Sequence, residues 1–207
     1  MPKVGLAPCP HCGEEHGENH LKCPRTDMPL PLRGRVLDGK FRLISELGKG
    51  GMASVWLASN LNVGREVAIK VLRPEITRHP EVVARFRSEA RAAGRIGSPH
   101  ICDILDMGMS PIGPYIVMER LEGYDLSALI ATRGPLPTTQ AVAVIRHALR
   151  GLEAAHQAGI VHRDLKPANI FVHQPAGAEA TVKIMDFGVS KFLDGSADAL
   201  TTSGVLL

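Results

Sequence analysis

Nowhere in the 207 residues does an apolar run approach the roughly 20 residues that a membrane-spanning helix needs. The opening residues, Met1-Pro2-Lys3-Val4-Gly5-Leu6-Ala7, hold no apolar signal region before polar chemistry begins, so a cytoplasmic setting is expected. Charge of one sign is lacking too: a net +3 is too small to argue for nucleic acid as a partner. In a cytoplasmic chain the four cysteines are expected as thiols or metal ligands, not disulfides. What is present is a globular composition, 44% apolar, sufficient for one medium domain or two small ones.

Residues 1 to about 35 are rich in Pro, Gly, His and Cys and show neither a helical nor an alternating apolar period. Cys9-Pro10-His11-Cys12-Gly13 reads as a tight turn aiming two thiols at one point, and Cys23 supplies a third. His16 and His20 lie between, and His20 with Cys23 repeats the two-residue gap of Cys9 with Cys12. That spacing favours Cys9, Cys12, His20 and Cys23 as the ligands of a structural zinc ion. Metal binding would supply folding energy that so short a segment cannot obtain from a core. A zinc knuckle over 1–27 is therefore expected. An extended, proline-containing linker follows over 28–36, and a larger domain begins at 37.

A strand pattern starts at Phe41 and runs into Leu47-Gly48-Lys49-Gly50-Gly51-Met52-Ala53-Ser54-Val55. Glycines between two strands let the backbone approach a ligand closely and aim N–H groups at phosphate. The next strand, Glu66 to Leu72, sets Lys70 among apolar neighbours, where a cation needs an anionic partner. Pro80 to about Ile96 carries Val82, Val83, Phe86, Ala90 and Ala93 at helical spacing, with Glu89 beside that stripe as the partner for Lys70. Ile101–Met107 and Tyr115–Met118 read as a hairpin, in which Cys102 is a small buried hydrophobe. Glu119 to Gly123 then breaks the strand pattern. Helices follow over about 125–133 and 138–157, the second with Val142, Ile145, Ala148, Leu149, Leu152 and Ala155 on one face, and Gly159 stops it. The reading is α+β: a sheet-rich lobe over 37–118, a helical lobe from 124, and a hinge and ligand cleft at the crossover.

His162-Arg163-Asp164-Leu165-Lys166-Pro167-Ala168-Asn169 puts a carboxylate, an amine and a carboxamide within eight residues. Pro167 keeps them off a continuous helix, so they sit on a loop that Leu165, Ile170 and Phe171 can pin to a core. An Asp can deprotonate a hydroxyl, and an Asn amide oxygen can ligate a hard metal ion. Asp186-Phe187-Gly188 follows one strand-like segment later and offers a second metal ligand.

With these motifs in this order, the chain from about Leu37 onward resembles the eukaryotic-type serine/threonine protein kinases, especially bacterial members with a Gly-Gly-Met-Ala-type loop. The resemblance implies a two-lobed kinase fold with a complete β-rich lobe and the first part of the helical lobe. It implies that Leu47, Gly48, Lys49, Gly50, Gly51 and Val55 cover ATP, with Ala53 where the family has its third glycine. Lys70 would hold the α- and β-phosphates while paired with Glu89. Asp164 would orient the substrate hydroxyl, Lys166 would touch the γ-phosphate, and Asn169 and Asp186 would hold magnesium. Met118, Glu119 and Leu121 would meet adenine, which Ala68, Phe171 and Met185 would line, and Asp125 would approach the ribose. Thr201, Thr202 and Ser203 fall where similar kinases are phosphorylated, and a phosphate there would pair with Arg163. The implied activity is transfer of the γ-phosphoryl of ATP to Ser or Thr of protein substrates.

The resemblance also implies further helices and an Ala-Pro-Glu motif beyond Leu207, so the sequence reads as a fragment with little turnover of its own. Two other readings accompany it. One is an ATP-binding pseudo-enzyme or scaffold; the other is a partner-binding zinc knuckle attached to a kinase remnant.

Overall fold

The computed structural model describes residues 8–17 and 20–187. They fall into two compact units, which part between Glu122 and Gly123 and exchange one short segment, Arg95–Ile101, which joins the second unit.

The first unit is built on a six-stranded antiparallel sheet. Its strands are β1 (Val36–Leu37), β2 (Phe41–Lys49), β3 (Ala53–Asn60), β4 (Arg65–Leu72), β5 (Ile104–Ser110) and β6 (Gly113–Glu119), in the order β1-β2-β3-β4-β6-β5. Register divides its side chains cleanly. Val55 faces Lys70, which faces Ile116; Leu57 faces Ala68, which faces Met118. Because successive side chains alternate between faces, these six share one face. The intervening Trp56, Val67, Ile69, Val71, Tyr115 and Val117 form the opposite face, where they join Leu37, Phe41 and Leu43 in one buried cluster. Helix α1 (Pro80–Ala93) packs on β5 and β6 and buries Val82, Phe86, Ala90 and Ala93. It stops before the expected Ile96 because Gly94 caps it. The hairpin strand begins at Ile104, not Ile101, since Ile101 bridges Ile184 in the second unit.

Residues 28–36, expected as a linker, are built into this unit. Leu30 packs on Cys9 and Cys23, while Leu21 and Leu32 pack against the sheet's buried cluster.

The second unit holds a small antiparallel sheet of β7 (Gly123–Asp125), β8 (Ile170–His173) and β9 (Thr181–Ile184), with α2 (Leu126–Arg133) and α3 (Thr138–Gln157). Helix α3 has the expected bounds but buries a different stripe. Val144, Ala148, Gly151 and Ala155 are its buried residues, whereas Val142, Ile145 and Leu149 are 52–60% exposed. Ala148 and Ala155 of the expected stripe are among the buried ones. At Gly151 a Cβ would lie 2.7 Å from the His100 carbonyl oxygen, so glycine permits the close approach of the helix backbone to His100.

Candidate active site and metal centre

In the second unit the 162–169 loop is held from beneath by a residue whose role the sequence did not reveal. His162 is 2% exposed. Its Nε2 lies 2.9 Å from the Met185 carbonyl oxygen, and its Nδ1 lies 3.3 Å from the Asp164 N–H. A carbonyl only accepts, so Nε2 carries the proton and Nδ1 accepts, which makes this a neutral ring with both nitrogens engaged. The ring also stacks at 4.8 Å on Phe187. The signal available in the sequence was a histidine directly after the apolar Ile160-Val161, although Val161 itself is exposed.

On that support the polar groups converge. Lys166 Nζ is 2.9 Å from Asp164 Oδ2, and Asn169 Nδ2 donates to the Asp164 carbonyl at 2.8 Å and to Oδ2 at 3.3 Å. Asp164 is 17% exposed in its side chain, so the carboxylate is reachable but partly desolvated. Asn169 is buried, and its carbonyl accepts from the Met185 N–H at 2.9 Å. Asp186 is exposed next to Met185. Arg163 and Asp186 both take positive φ, 62° and 54°, an uncommon backbone state for residues with a Cβ. Phe171 is half-buried on β8, and Asp125 caps α2 by accepting from the Ala128 N–H at 2.8 Å. Gly188, Thr201, Thr202 and Ser203 lie outside the described residues.

In the first unit, Leu47 to Val55 spans the end of β2 and the start of β3, with Gly48 opposite Val55 and Gly50 donating to the Ala53 carbonyl at 2.8 Å. A Cβ added at Gly48 or Gly51 would meet nothing within 4 Å, and neither residue has a positive φ. The described fold therefore imposes no steric or φ requirement for glycine at either position. Lys70 sits mid-strand on the sheet face shared with Val55, Ala68 and Met118. Glu89 is half-buried on α1, with Oε2 shut off from solvent. Glu119 Oε1 accepts from the Asp103 N–H at 2.8 Å, and Leu121 is half-buried nearby in sequence.

The N-terminal segment corrects one ligand. Cys9, Cys12, His16 and Cys23 bring one donor atom each to within 4.8 Å of one another, and His16, not His20, completes the set. His16 Nε2 is 3.2 Å from Cys12 Sγ. His20 is exposed; its ring centroid is 6.0 Å from that of His16, and its carbonyl is taken by Arg35. The expectation failed because the repeat was aligned wrongly. Cys9 donates to the Glu14 carbonyl and accepts from the Gly13 N–H; Cys23 donates to the Met28 carbonyl and accepts from the Asp27 N–H. Gly13 and Asp27 both have positive φ. The repeated unit is thus Cys9-Pro10-His11-Cys12-Gly13 against Cys23-Pro24-Arg25-Thr26-Asp27. Cys23 matches Cys9, and Thr26 stands where Cys12 does. Hydrogen bonding from the Thr26 side chain, with the Arg25 and Thr26 backbone, pulls the Cys23 thiol down to about 5. Cys12 moves the other way: against the lowering hydrogen bond from Glu14, burial and the Cys23 and Cys9 thiols push it up. Three thiols and one imidazole gathered around one point are a donor set of the kind structural zinc takes.

Comparison with known proteins shows the family. The protein kinase domain family matches residues 41–205. Pkn1 of Myxococcus xanthus, a serine/threonine-protein kinase, is 41% identical over 94% of this chain, and PknB of Mycobacterium leprae, also a serine/threonine-protein kinase, is 38% identical over 82%. The chain spans 30% of the first relative's length and 27% of the second's. Among solved structures, a double mutant of the PknI kinase domain of Mycobacterium tuberculosis superposes with a TM-score of 0.68 at 29% identity, over 79% of this chain and 64% of that one. Rad53 in complex with AMP-PNP superposes at 0.62, also 29% identical, over 72% and 38%. Among the described residues no helix is long and apolar enough to cross a membrane. The chain belongs to the protein kinase family, and within it to the eukaryotic-like serine/threonine kinases of bacterial type.

Proposed function

We propose that this chain carries the nucleotide-binding and catalytic elements of a serine/threonine protein kinase, which transfers the γ-phosphoryl of ATP to Ser or Thr hydroxyls of protein substrates. The observation that carries the reading is the Asp164–Lys166–Asn169 cluster on its His162 support. Asp164 orients the acceptor hydroxyl and takes its proton as the new P–O bond forms and the bond to the leaving ADP oxygen breaks. Lys166, held at 2.9 Å from Asp164, offers its ammonium to the charge on the transferred group. The Asn169 amide N–H is turned to Asp164, which reserves the amide oxygen for a metal. That oxygen and the Asp186 carboxylate suit magnesium, a hard cation that takes oxygen ligands and neutralises phosphate charge when bound.

On the sheet unit, Leu47, Gly48, Lys49, Gly50, Gly51 and Val55 cover the nucleotide, and Lys70, steadied by Glu89, meets its phosphates. Ala68 and Met118 lie on the same sheet face as Lys70, which suits them to line adenine, with the Glu119 and Leu121 backbone at its edge. Within the second unit, Phe171, Met185 and Asp125 are the residues proposed for adenine and ribose. Thr201, Thr202 and Ser203 are the segment proposed for regulatory phosphorylation, with Arg163 as the cation that answers it.

The test is phosphate incorporation from radiolabelled ATP into a basic Ser/Thr substrate. Asp164→Asn should lower the rate by roughly 10²–10⁴-fold while leaving melting temperature within a few degrees. An unchanged rate would sink the assignment.

A second reading has its own support: Cys9, Cys12, His16 and Cys23 hold a structural zinc ion. Metal analysis should find one zinc per chain, lost in His16→Ala and kept in His20→Ala. The reverse result would return the ligand role to His20.

A further inference from the structure

The metal centre and the glycine-rich turn belong to the same unit, and a single side chain joins their supports. Arg35 is 3% exposed, an unusual place for a guanidinium. Its Nε donates to the Pro31 carbonyl at 2.9 Å, and its Nη2 donates to the His20 carbonyl. His20 lies between two of the thiolate donors, Cys12 and Cys23, and Leu21 beside it packs on the sheet's buried cluster. The backbone around Arg35 faces the other way. The Gly34 N–H donates to Leu43 at 2.8 Å, and the Leu43 N–H donates to the Arg35 carbonyl at 2.9 Å. From Leu43, β2 continues to Lys49 and carries the glycine-rich turn. At the start of the same strand Leu37 pairs with Phe41, and Asp38 accepts from the Tyr115 hydroxyl at 2.6 Å. Arg35 thus holds the knuckle's His20 carbonyl and the Pro31 carbonyl with its side chain, and β2 with its main chain.

We propose that Arg35 is a positioning residue which makes the Cys9–Cys12–His16–Cys23 centre part of the nucleotide-binding unit, so that metal loading tightens nucleotide binding through β2. The proposal rests on the zinc reading above. When the centre is loaded, the 9–23 segment is fixed and the His20 carbonyl stays under the guanidinium. When it is empty, that segment is free to open, and a buried cation loses an acceptor. Such a loss is relieved only by loosening the residues on which the cation sits, here the start of β2. Coupling of this kind is reciprocal, so nucleotide should also tighten zinc.

The experiment uses the whole chain. Zinc content is measured by mass spectrometry of the metal. Affinity for a fluorescent ATP analogue is measured as purified, after chelation, and after zinc is returned. Chelation should weaken the nucleotide by roughly tenfold, within the usual span of coupling between two sites, and returned zinc should restore it. It should also lower the melting temperature by roughly 10 °C. Arg35→Met should keep its zinc yet bind nucleotide weakly whether loaded or chelated, and Arg35→Lys should recover part of the metal dependence. His16→Cys, which preserves a four-donor set, should behave as wild type and guards against variants that fail to fold. If zinc binds one per chain but chelation leaves nucleotide affinity within twofold, the role of Arg35 is overturned while the metal reading stands. If no zinc binds to wild type, both fall.

Discussion

The knuckle and the catalytic loop are both short, irregular and full of polar side chains, yet they are held in opposite ways. In the knuckle, the groups that carry the chemistry are themselves the support: Cys9, Cys12, His16 and Cys23 converge on one another, with Leu30 packed on Cys9 and Cys23. In the loop, the chemical groups are supported by others. His162 fixes the backbone of Asp164 and Met185, and the Asn169 main-chain carbonyl takes the Met185 N–H, while Lys166 and the Asn169 amide sit on an Asp164 carboxylate whose side chain stays 17% exposed. A ligand cluster that holds the chain together turns all its donor atoms on one another. A loop held partly by its backbone leaves its carboxylate within reach of solvent.

The comparison can be broken at three points. The largest effect should come from Cys23→Ser. Structural zinc in small knuckles contributes about 10–16 kcal/mol of apparent binding energy, and here it would be lost to local unfolding. Limited proteolysis should then cut within residues 8–35 while the 162–187 segment keeps its protection; equal protection of both segments would mean that the knuckle has another source of stability. Next is His162→Ala, which removes two ring hydrogen bonds and the stack on Phe187. It should cost roughly 2–4 kcal/mol in denaturant unfolding, with no change in zinc content. A cost below about 0.5 kcal/mol would show that the loop supports itself, as the knuckle does. The smallest is Gly151→Ala. The added Cβ meets the His100 carbonyl, which accepts from the Ile184 N–H one residue before Met185. We expect roughly 1–3 kcal/mol of destabilisation from this overpacking, and a smaller loss of phosphorylation than Asp164→Asn gives.

Much of this architecture was legible in the sequence because its signals are local. Alternation in Glu66–Leu72 and the 3.6-residue period of 138–157 placed β4 and α3, and Gly48 to Val55 and His162 to Asn169 are motifs read residue by residue. What escaped reading depended on contacts distant in the chain. The close approach of α3 to His100 at Gly151 is a tertiary contact that an apolar count along the helix cannot register. His20 was preferred to His16 because the repeat was read from two-residue gaps, when the hydrogen-bonded turns align Cys23 with Cys9 and put Thr26 in the place of a thiol. Residues 28–36 looked like a linker because Arg35 and Leu32 find their partners only once β2 and the knuckle are formed.

Met185 is clasped on both sides: Asn169 accepts its N–H and His162 donates to its carbonyl, each at 2.9 Å. Asp186 is the next residue. The two oxygens proposed for magnesium therefore hang from a common clasp, although the chain between them passes through a whole hairpin. Neither can open without the other, so amide protons of Asp164, Asn169 and Met185 belong to one cooperative opening unit in hydrogen exchange.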